Sequence, residues 1–199
     1  VEPTVAGPVE LRATVNGTEF RVLAENLSRE RAFGQISIKV SGRGRNAVLD
    51  APYTPQQVFS NTHDRTSQQL MEDVLQFNGV PLGYTIDYGL EAWNVPAGVF
   101  NHQGTYISAL AALAQAGGGY LIPDPSALAF KVRHLYPTKP WDPITPDFIL
   151  PADVLVRESI AWREKPDYNR VYVSGQEQGV LGRVTRTGTA GDILAPMVT

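Results

Sequence analysis

The sequence contains no cysteine, which excludes disulfide bonds, thiolate metal sites and cysteine nucleophiles over its 199 residues. It has no apolar run near the roughly 20 residues that a membrane-spanning helix needs. The first ten residues lack the basic and apolar regions of a signal peptide. We therefore expect a chain that folds around a hydrophobic core without cross-links and makes no membrane contact.

Catalytic motifs are missing as well. The histidines His63, His102 and His134 have no partner at metal-ligand spacing, and neither HExxH nor GxSxG is present. The glycines at 117–119 follow a predicted helix, whereas a dinucleotide-binding loop precedes one, so we interpret them as a helix stop. We predict that the chain is not an enzyme and holds neither a cofactor nor a metal.

The distribution of charge leaves two other functions open. Residues 51–150 carry four basic and eight acidic groups, and a glycan hydrolase needs two carboxylates across a cleft. The alternative function is therefore a glycan hydrolase or a carbohydrate-binding module that uses this acidic middle segment. A ligand-binding module would be favoured by an exposed groove lined with Trp93, Trp141 and Tyr136. The carboxylates available for a cleft are Glu72, Asp73, Asp87, Glu91 and Asp124.

Nucleic-acid binding has little support in the sequence. The net charge is −3 and the pI is near 5.6, so no overall positive field attracts a phosphate backbone. Tyr168, Arg170 and Tyr172 alternate on one face of a predicted strand. Aromatic and basic side chains occur together in single-strand binding sites, but such a ladder is also ordinary sheet packing, which we favour.

The first fifty residues alternate apolar and polar side chains, as half-buried antiparallel strands do. Residues 9–15 and 19–23 flank Asn16-Gly17, a dipeptide that favours a tight hairpin turn. The polar stretch 25–32 is interpreted as a connection, and a further strand is predicted over 33–41. The side chains of this strand that are predicted to face the core are Ile36, Ile38 and Val40.

Arginine and glycine alternate in the run GRGR at 42–45, where the glycines are expected to end this strand. One interpretation is a loop that holds a phosphate or carboxylate through glycine amides and guanidinium groups. The other is a turn whose arginines are exposed or paired within the chain. We favour the second, because the run lacks the Lys-Ser/Thr ending of a P-loop. A short helical turn is predicted at 46–50.

Two similar segments follow, each predicted to fold as a helix, a glycine stop and a strand. Apolar side chains at helical spacing predict the first helix at 67–77, with Asp64 or Thr66 as its N-cap. Asn78-Gly79 is predicted to end this helix, and a short strand is expected at 84–88. The stretch 89–103 is predicted to be irregular and anchored to the core by Trp93 and Phe100.

The second helix is predicted at 105–116, where an alanine-rich apolar stripe precedes the glycines. With an offset of 39 residues, several positions of the first segment match the second, including Thr66 with Thr105. We interpret the pair as one supersecondary unit used twice. The strands that follow the second helix are predicted at 120–123 and 127–135, joined by a turn.

The remainder of the chain returns to β structure after a proline-rich strap. Five prolines at 137–151 exclude regular structure there. Strand character resumes at 153–162, and residues 170–174 and 180–186 are predicted to form a hairpin.

The predicted fold class is therefore α+β. Residues 1–50 and 153–199 are expected to build one discontinuous β-barrel-like domain, which continues past the end of the sequence. Residues 51–152 are expected to form an inserted α+β domain that includes the linker 51–63 and the strap.

Four stretches within roughly residues 33–175 are predicted to form a characteristic succession of elements. These are a strand with a short helix, an inserted helix, a helix–glycine–hairpin, and a returning strand. They are ISIKVSGRGRNAVLDAPY, TSQQLMEDVLQFNG, TYISALAALAQAGGGYLIPDPSALAF and REKPDYNRVYVSGQ. In this order they resemble the hub proteins of phage tail baseplates, including Mu-like tail proteins and the hubs of contractile tails.

The resemblance implies a trimer whose subunits form a pseudo-sixfold ring. Such a ring joins the tail tube to a spike or tip and lets DNA pass without specific binding. The resemblance carries over no catalytic residue. It implies tube and spike proteins as partners, a place in the virion tail, and assembly in the bacterial host cytoplasm. Arg43, Arg45 and Arg170 are candidate subunit or tube contacts.

Overall fold

The computed structural model describes residues 8–138, 142–146, 149, 151, 153, 157–163, 168–174 and 181–189. The chain divides into two units, Val1–Ile144 and Thr145–Thr199.

The elements of unit 1 mix strands with two helices, which confirms the predicted α+β class. The helices are α1 (Ser67–Val74) and α2 (Tyr106–Ala116), and a 3-10 turn spans Arg45–Leu49, close to the predicted helical turn. The strands are β1 (Val9–Val15), β2 (Thr18–Ala32), β3 (Gln35–Gly44), β4 (Gln57–Ser60), β5 (Arg65–Thr66), β6 (Gln76–Phe77), β7 (Val80–Pro81), β8 (Thr85–Tyr88), β9 (Asn94–Val95), β10 (Asn101–Gly104), β11 (Gly119–Pro123) and β12 (Ala129–His134).

The N-terminal sheet has the order β1-β2-β3 and is antiparallel throughout. Asn16 and Gly17 have positive φ values of 50° and 82°, so the predicted Asn-Gly hairpin turn is confirmed. The predicted connection at 25–32 is wrong, because these residues continue β2 to Ala32. Their polarity reflects exposure to solvent and does not prevent strand pairing. The glycines of the GRGR run likewise lie within β3 and do not end it before Gly44.

The hydrophobic core of unit 1 lies between the two helices and a second sheet, which has the order β11-β12-β8. Strand β11 is antiparallel to β12, and β8 is parallel to it. The hairpin predicted from residues 120–135 is thereby confirmed. Trp93 and Phe100 pack against this core, as predicted. The buried side chains of the core include Leu70, Met71, Val74, Leu110, Leu113, Phe130 and Val132.

Threonines cap both helices at their N-termini. The hydroxyl of Thr66 accepts a hydrogen bond from the backbone N–H of Gln69, and the Gln69 side chain accepts one from the N–H of Thr66. The hydroxyl of Thr105 accepts from the backbone N–H of Ser108. The 39-residue offset seen in the sequence therefore aligns two equivalent capping positions.

The connections between the helices and the second sheet contain short strands that the sequence did not predict. Helix α1 ends at Val74, and Asn78-Gly79 forms the turn between β6 and β7, with φ values of 50° and 77°. The prediction that this dipeptide ends the helix is wrong, since its φ angles suit a two-residue hairpin. The stretch 89–103 contains β9 and β10, which pair with β5 and β4.

Unit 2 contains a hairpin of β13 (Arg170–Ser174) and β14 (Leu181–Thr185), which confirms the predicted one. The described part of the proline-rich strap contains no helix or strand, as predicted. The strand predicted at 153–162 is wrong for residues 157–162, which form no strand in the structure. Val154 and Val156, which supported that prediction, lie outside the described residues.

Within the described part of the chain, the strands form two-stranded and three-stranded sheets that do not close into a barrel. The discontinuous domain of residues 1–50 and 153–199, with residues 51–152 as an insertion, stays a prediction.

Candidate functional site

A β-hairpin arm, defined as residues 26–42, extends from the N-terminal sheet. It consists of the distal parts of β2 and β3, joined by a turn at Phe33 and Gly34. Every residue of the arm is exposed on both faces, and Phe33 at the tip is fully exposed. Because a two-stranded hairpin is only marginally stable in water, a second surface would stabilise the arm.

Strand register separates the two faces of the arm, because residues paired across an antiparallel ladder lie on the same face. We define the apolar–basic face as three such pairs: Leu27 with Val40, Arg29 with Ile38, and Arg31 with Ile36. Four aliphatic side chains and two guanidinium groups thus lie on one side. The opposite face carries small or polar side chains at Ser28, Glu30, Ala32, Gln35, Ser37 and Lys39.

The predicted burial of Ile36, Ile38 and Val40 is wrong. Their side chains are 57%, 64% and 36% exposed. Alternation of apolar and polar residues shows that one face of a strand is apolar, but it does not show whether the same chain covers that face. The prediction therefore identified the apolar face correctly but wrongly placed it in the core instead of at the surface.

The base of the arm is a tightly packed bulge. The register between β2 and β3 shifts between Ala24 and Asn26, so that Glu25 is the extra residue. A Cβ atom at Gly42 would lie 1.7 Å from the carbonyl oxygen of Leu23, so only glycine fits at this point of the strand. The bulge fixes where the arm leaves the sheet.

Arg43 joins the bulge to the rest of unit 1. Its Nε donates to Glu25 Oε1 at 2.9 Å, and its Nη1 donates to Asp50 Oδ2 at 3.0 Å. The Tyr53 hydroxyl donates to the same Glu25 oxygen at 3.1 Å. These donors, with that of Arg43 first, hold the pKa of the Glu25 carboxyl below its ordinary value.

Asp50 connects this cluster to helix α2. Its Oδ1 accepts a hydrogen bond from Thr105 Oγ1 at 2.8 Å, at the N-cap of the helix. Partial burial acts to raise the pKa of Asp50, but hydrogen bonds from Thr105, the Ala51 backbone and Arg43 outweigh it, so the pKa is lowered. The arm's base and the core helix therefore share one carboxylate.

Arg45 fastens the N-terminal sheet to the β11–β12 turn. Its Nη1 donates to the Ser126 carbonyl at 2.9 Å, and Glu10 lies 3.4 Å from its Nε. The backbone N–H of Arg21 donates a second hydrogen bond to the same turn, at the Pro125 carbonyl. Both arginines of the GRGR run are thus paired within the chain, which favours the structural interpretation over an anion-binding loop. Their role as subunit or tube contacts stays a prediction.

An open groove of about 420 Å³ lies beside the base of the arm, and we call it the α2 groove. Helix α2 contributes Ile107 and Ala111, which are only half-buried, and β11 contributes Tyr120 and Leu121. At its other wall lie Arg43, Gly44, Asn46, Ala47 and Asp50.

Asn46 stiffens the wall of the α2 groove. Its side-chain amide donates to the carbonyl oxygens of Asp124 and Ala129, at 3.1 and 3.4 Å. Its Oδ1 is buried and has no hydrogen-bond partner among the described residues. The groove is therefore largely apolar, and hydrogen bonds from Asn46 fix the position of its wall.

Arg170 lies in unit 2, on β13. It is paired in register with Thr185 of β14, and its Nε donates to Thr185 Oγ1 at 3.1 Å. Tyr172, two residues along the strand, shares this face and is exposed. The predicted role of Arg170 as a contact stays a prediction.

The acidic residues considered for a hydrolytic cleft mostly have local partners. Asp73 pairs with Arg65 at 2.9 Å, and Asp87 pairs with Arg133. Asp124 accepts hydrogen bonds from the backbone N–H groups of Ala127 and Ser126, which lower its pKa. Arg133 lowers the pKa of Asp87 in the same way. Glu72 accepts a hydrogen bond from Gln68 on the same helix, and Glu91 lies in the loop before β9.

Neither described groove has the lining of a glycosidase site. The carboxylate in the α2 groove is Asp50, and a second groove of about 240 Å³, beside β4, is lined by Asp73. Each groove thus offers one carboxylate, whereas glycoside hydrolysis uses two that face each other. Trp93 packs against the core and Trp141 lies outside the described residues, so the proposed aromatic groove is not assembled in the described part of the chain.

His63 and His102 have local hydrogen-bond partners. His102 and Ser108 lie 2.9 Å apart at the start of α2, and His63 lies 2.9 Å from Thr62. Among the described residues, no group of three or more His, Asp or Glu side chains is placed to hold a metal ion. No helix in the described part of the chain has the length and apolarity to cross a membrane.

Comparison with known proteins finds likeness at the level of structure. No protein-family model matches the sequence, and no curated protein matches it. The fold is similar to that of the tail protein from Neisseria meningitidis MC58, with a TM-score of 0.51 and 13% sequence identity. The match covers 93% of this chain and 56% of that protein's chain. This chain therefore shares a fold with just over half of a solved tail protein.

Proposed function

We propose that this chain is a structural component of a phage tail. The observation that carries the proposal is the similarity in fold, over 93% of the chain, to a protein described as a tail protein. The order of motifs that resembles baseplate hubs supports the same role independently of the structural comparison. Structural virion proteins function by binding other subunits. The exposed arm of this chain, with its apolar face, is a surface suited to such binding.

The finer form of the proposal is a baseplate hub. In this role three copies form a ring that joins the tail tube to a spike or tip, and DNA passes through the ring without specific binding. The weakly acidic charge is compatible with a DNA passage, because a conduit that bound phosphates tightly would retain the DNA. The protein then resides in the tail of the virion, after assembly in the host cytoplasm, and acts without catalysis or a cofactor.

Measuring the mass of the full-length protein in solution tests this function. We expect sedimentation analysis to give a trimer, and electron micrographs of the same sample to show closed rings. The competing function predicts clearing of a cell-wall suspension that is lost in the Asp73→Asn or Asp124→Asn variants. A persistent monomer with such lytic activity would overturn the structural proposal.

A further inference from the structure

We propose that the apolar–basic face of the arm binds in the α2 groove of a second copy of this chain. This inference deepens the proposed function, on which it rests for closure of a ring. It names the two surfaces through which neighbouring subunits make contact.

The arm has the properties of a segment that is covered after folding. Residues 26–42 are all exposed, yet Leu27, Ile36, Ile38 and Val40 form a continuous apolar strip on one face. Apolar patches of this kind on a free chain mark interaction sites. At about 3.3 Å per residue, its strands of about eight residues extend some 25 Å, which is enough to reach a neighbouring molecule.

The α2 groove has a complementary lining. Ile107 and Ala111 follow each other at one-turn spacing on α2, and the small alanine leaves room for a partner's side chain. Tyr120 and Leu121 of β11 also line the groove and remain partly accessible. A volume of about 420 Å³ accommodates several aliphatic side chains.

Charge favours a copy of the same chain as the partner. The arm carries Arg29, Arg31 and Lys39 against Glu30, which gives a net charge of +2. Residues 8–25 and 43–138 of unit 1, which include both walls of the groove, carry seven basic and ten acidic groups, a net charge of −3. The two guanidinium groups on the apolar–basic face would therefore approach an acidic body.

The arm cannot fill the groove of its own chain. Gly44, where β3 ends, is part of the groove wall, and the arm extends away from that point with every residue exposed. Each copy thus offers one arm and one groove at different places. A contact between two such unlike surfaces is head-to-tail, and it forms a ring where the rotation between neighbouring copies closes.

Disulfide cross-linking tests this contact cleanly, because the chain has no cysteine of its own. Two single variants of the full chain, Ile38→Cys and Ala111→Cys, are mixed under oxidising conditions. We expect a disulfide-linked dimer that contains one of each. Ser37→Cys mixed with Ala111→Cys is the matched control, since Ser37 lies on the opposite face of the arm. Equal cross-linking of both mixtures, or none in the first, would overturn the inference.

A charge variant provides a second test. Ile38→Asp should weaken self-association of the full chain by roughly a hundredfold or more, because a carboxylate would enter an apolar contact. Ser28→Asp, on the other face and opposite Lys39, should leave self-association within about threefold. Circular dichroism should show unchanged folding in both variants, since both positions are exposed.

The outcomes separate this inference from the proposed function. A trimer that persists in Ile38→Asp overturns the arm contact and leaves the structural role in place. A wild-type chain that stays monomeric at all concentrations overturns the arm contact, and one that is also lytic overturns the structural role as well. Loss of binding to another tail protein with unchanged self-association also overturns the inference, because the arm would then have a different partner.

Discussion

Gly42 and Gly44 have different roles although they belong to one short GRGR run. A Cβ atom at Gly42 would meet the backbone carbonyl of Leu23 at 1.7 Å, whereas the same position at Gly44 is open. Backbone atoms cannot swing aside as the end of a flexible side chain can. The close approach at the bulge, and not the phosphate loop considered from the sequence, explains why glycine is needed at Gly42.

We expect Gly42→Ala to lower the free energy of unfolding by at least about 2 kcal/mol, because the arm's base must distort to admit the methyl group. Gly44→Ala is the matched control and should change it by less than about 0.5 kcal/mol. Urea denaturation of both variants, read by circular dichroism, measures the difference. Equal destabilisation by the two substitutions would show that the close approach is not the cause.

The carboxylates at the arm's base should make stability dependent on acid pH. Hydrogen bonds hold the pKa of Asp50 below its ordinary value of 3.8, against the opposing effect of burial. A lowered folded-state pKa contributes stability that is present above pH 3.8 and is lost as pH falls through the folded-state value. Asp50→Asn should therefore be less stable than wild type at neutral pH, and the gap should narrow below pH 3.8.

Melting temperatures recorded between pH 2.5 and 7 test this expectation. Asp142→Asn, at an exposed position, is the comparison and should follow the wild-type curve. A gap between Asp50→Asn and wild type that stays constant down to the lowest pH would contradict the assigned role of Asp50.

At the scale of elements, the two helices begin in the same way but with different partners. Thr66 forms a reciprocal capping box with Gln69. Thr105 caps α2 and also donates to Asp50, so its hydroxyl links the helix to the arm's base. The N-terminus of the second helix is thus linked through Asp50 to Arg43 of the N-terminal sheet, whereas Ser67, at the start of the first helix, bonds to Tyr88 and Trp93.

Thr105→Val should therefore lower the free energy of unfolding by about 1–2 kcal/mol, since it removes a cap and leaves Asp50 without one donor. Thr105→Ser keeps a hydroxyl at the same place and should recover most of the loss. Chemical denaturation gives both values. Equal stability of the valine and serine variants would show that the hydroxyl is not involved.

Residue patterns in the sequence predicted helices and hairpins well where the element packs against another part of the same chain. Helical spacing located both helices, and Asn16-Gly17 located the first hairpin. Prediction failed where local signals were ambiguous: exposed strand residues at 25–32 resemble a loop, and Asn78-Gly79 suits either a helix end or a hairpin. The hydrogen bond from Arg45 to the Ser126 carbonyl joins residues 81 positions apart, so no local pattern could reveal it.

At the scale of the whole molecule, the sequence could not show which apolar faces stay uncovered. Ile36, Ile38 and Val40 have the spacing of a buried face, and burial by another molecule produces the same spacing. The hydrogen bonds from Arg45 and Asn46 to the β11–β12 turn show how firmly the first fifty residues are joined to the residues that follow. The candidate functional site is therefore identified by the solvent exposure of apolar side chains in the structure, which a single sequence does not show.

The exposure of the arm also determines where proteases should cleave this chain. Phe33 lies in a two-residue turn, and Arg29, Arg31 and Lys39 lie along the strands, so chymotrypsin and trypsin find preferred residues there. The buried core of unit 1 contains no residue of the arm, so we expect the body to stay folded after cleavage in the arm. Free subunits should be clipped at the arm within minutes, while assembled ones resist. Limited proteolysis read by mass spectrometry would thus test the proposed arm contact in an unlabelled, unmodified protein.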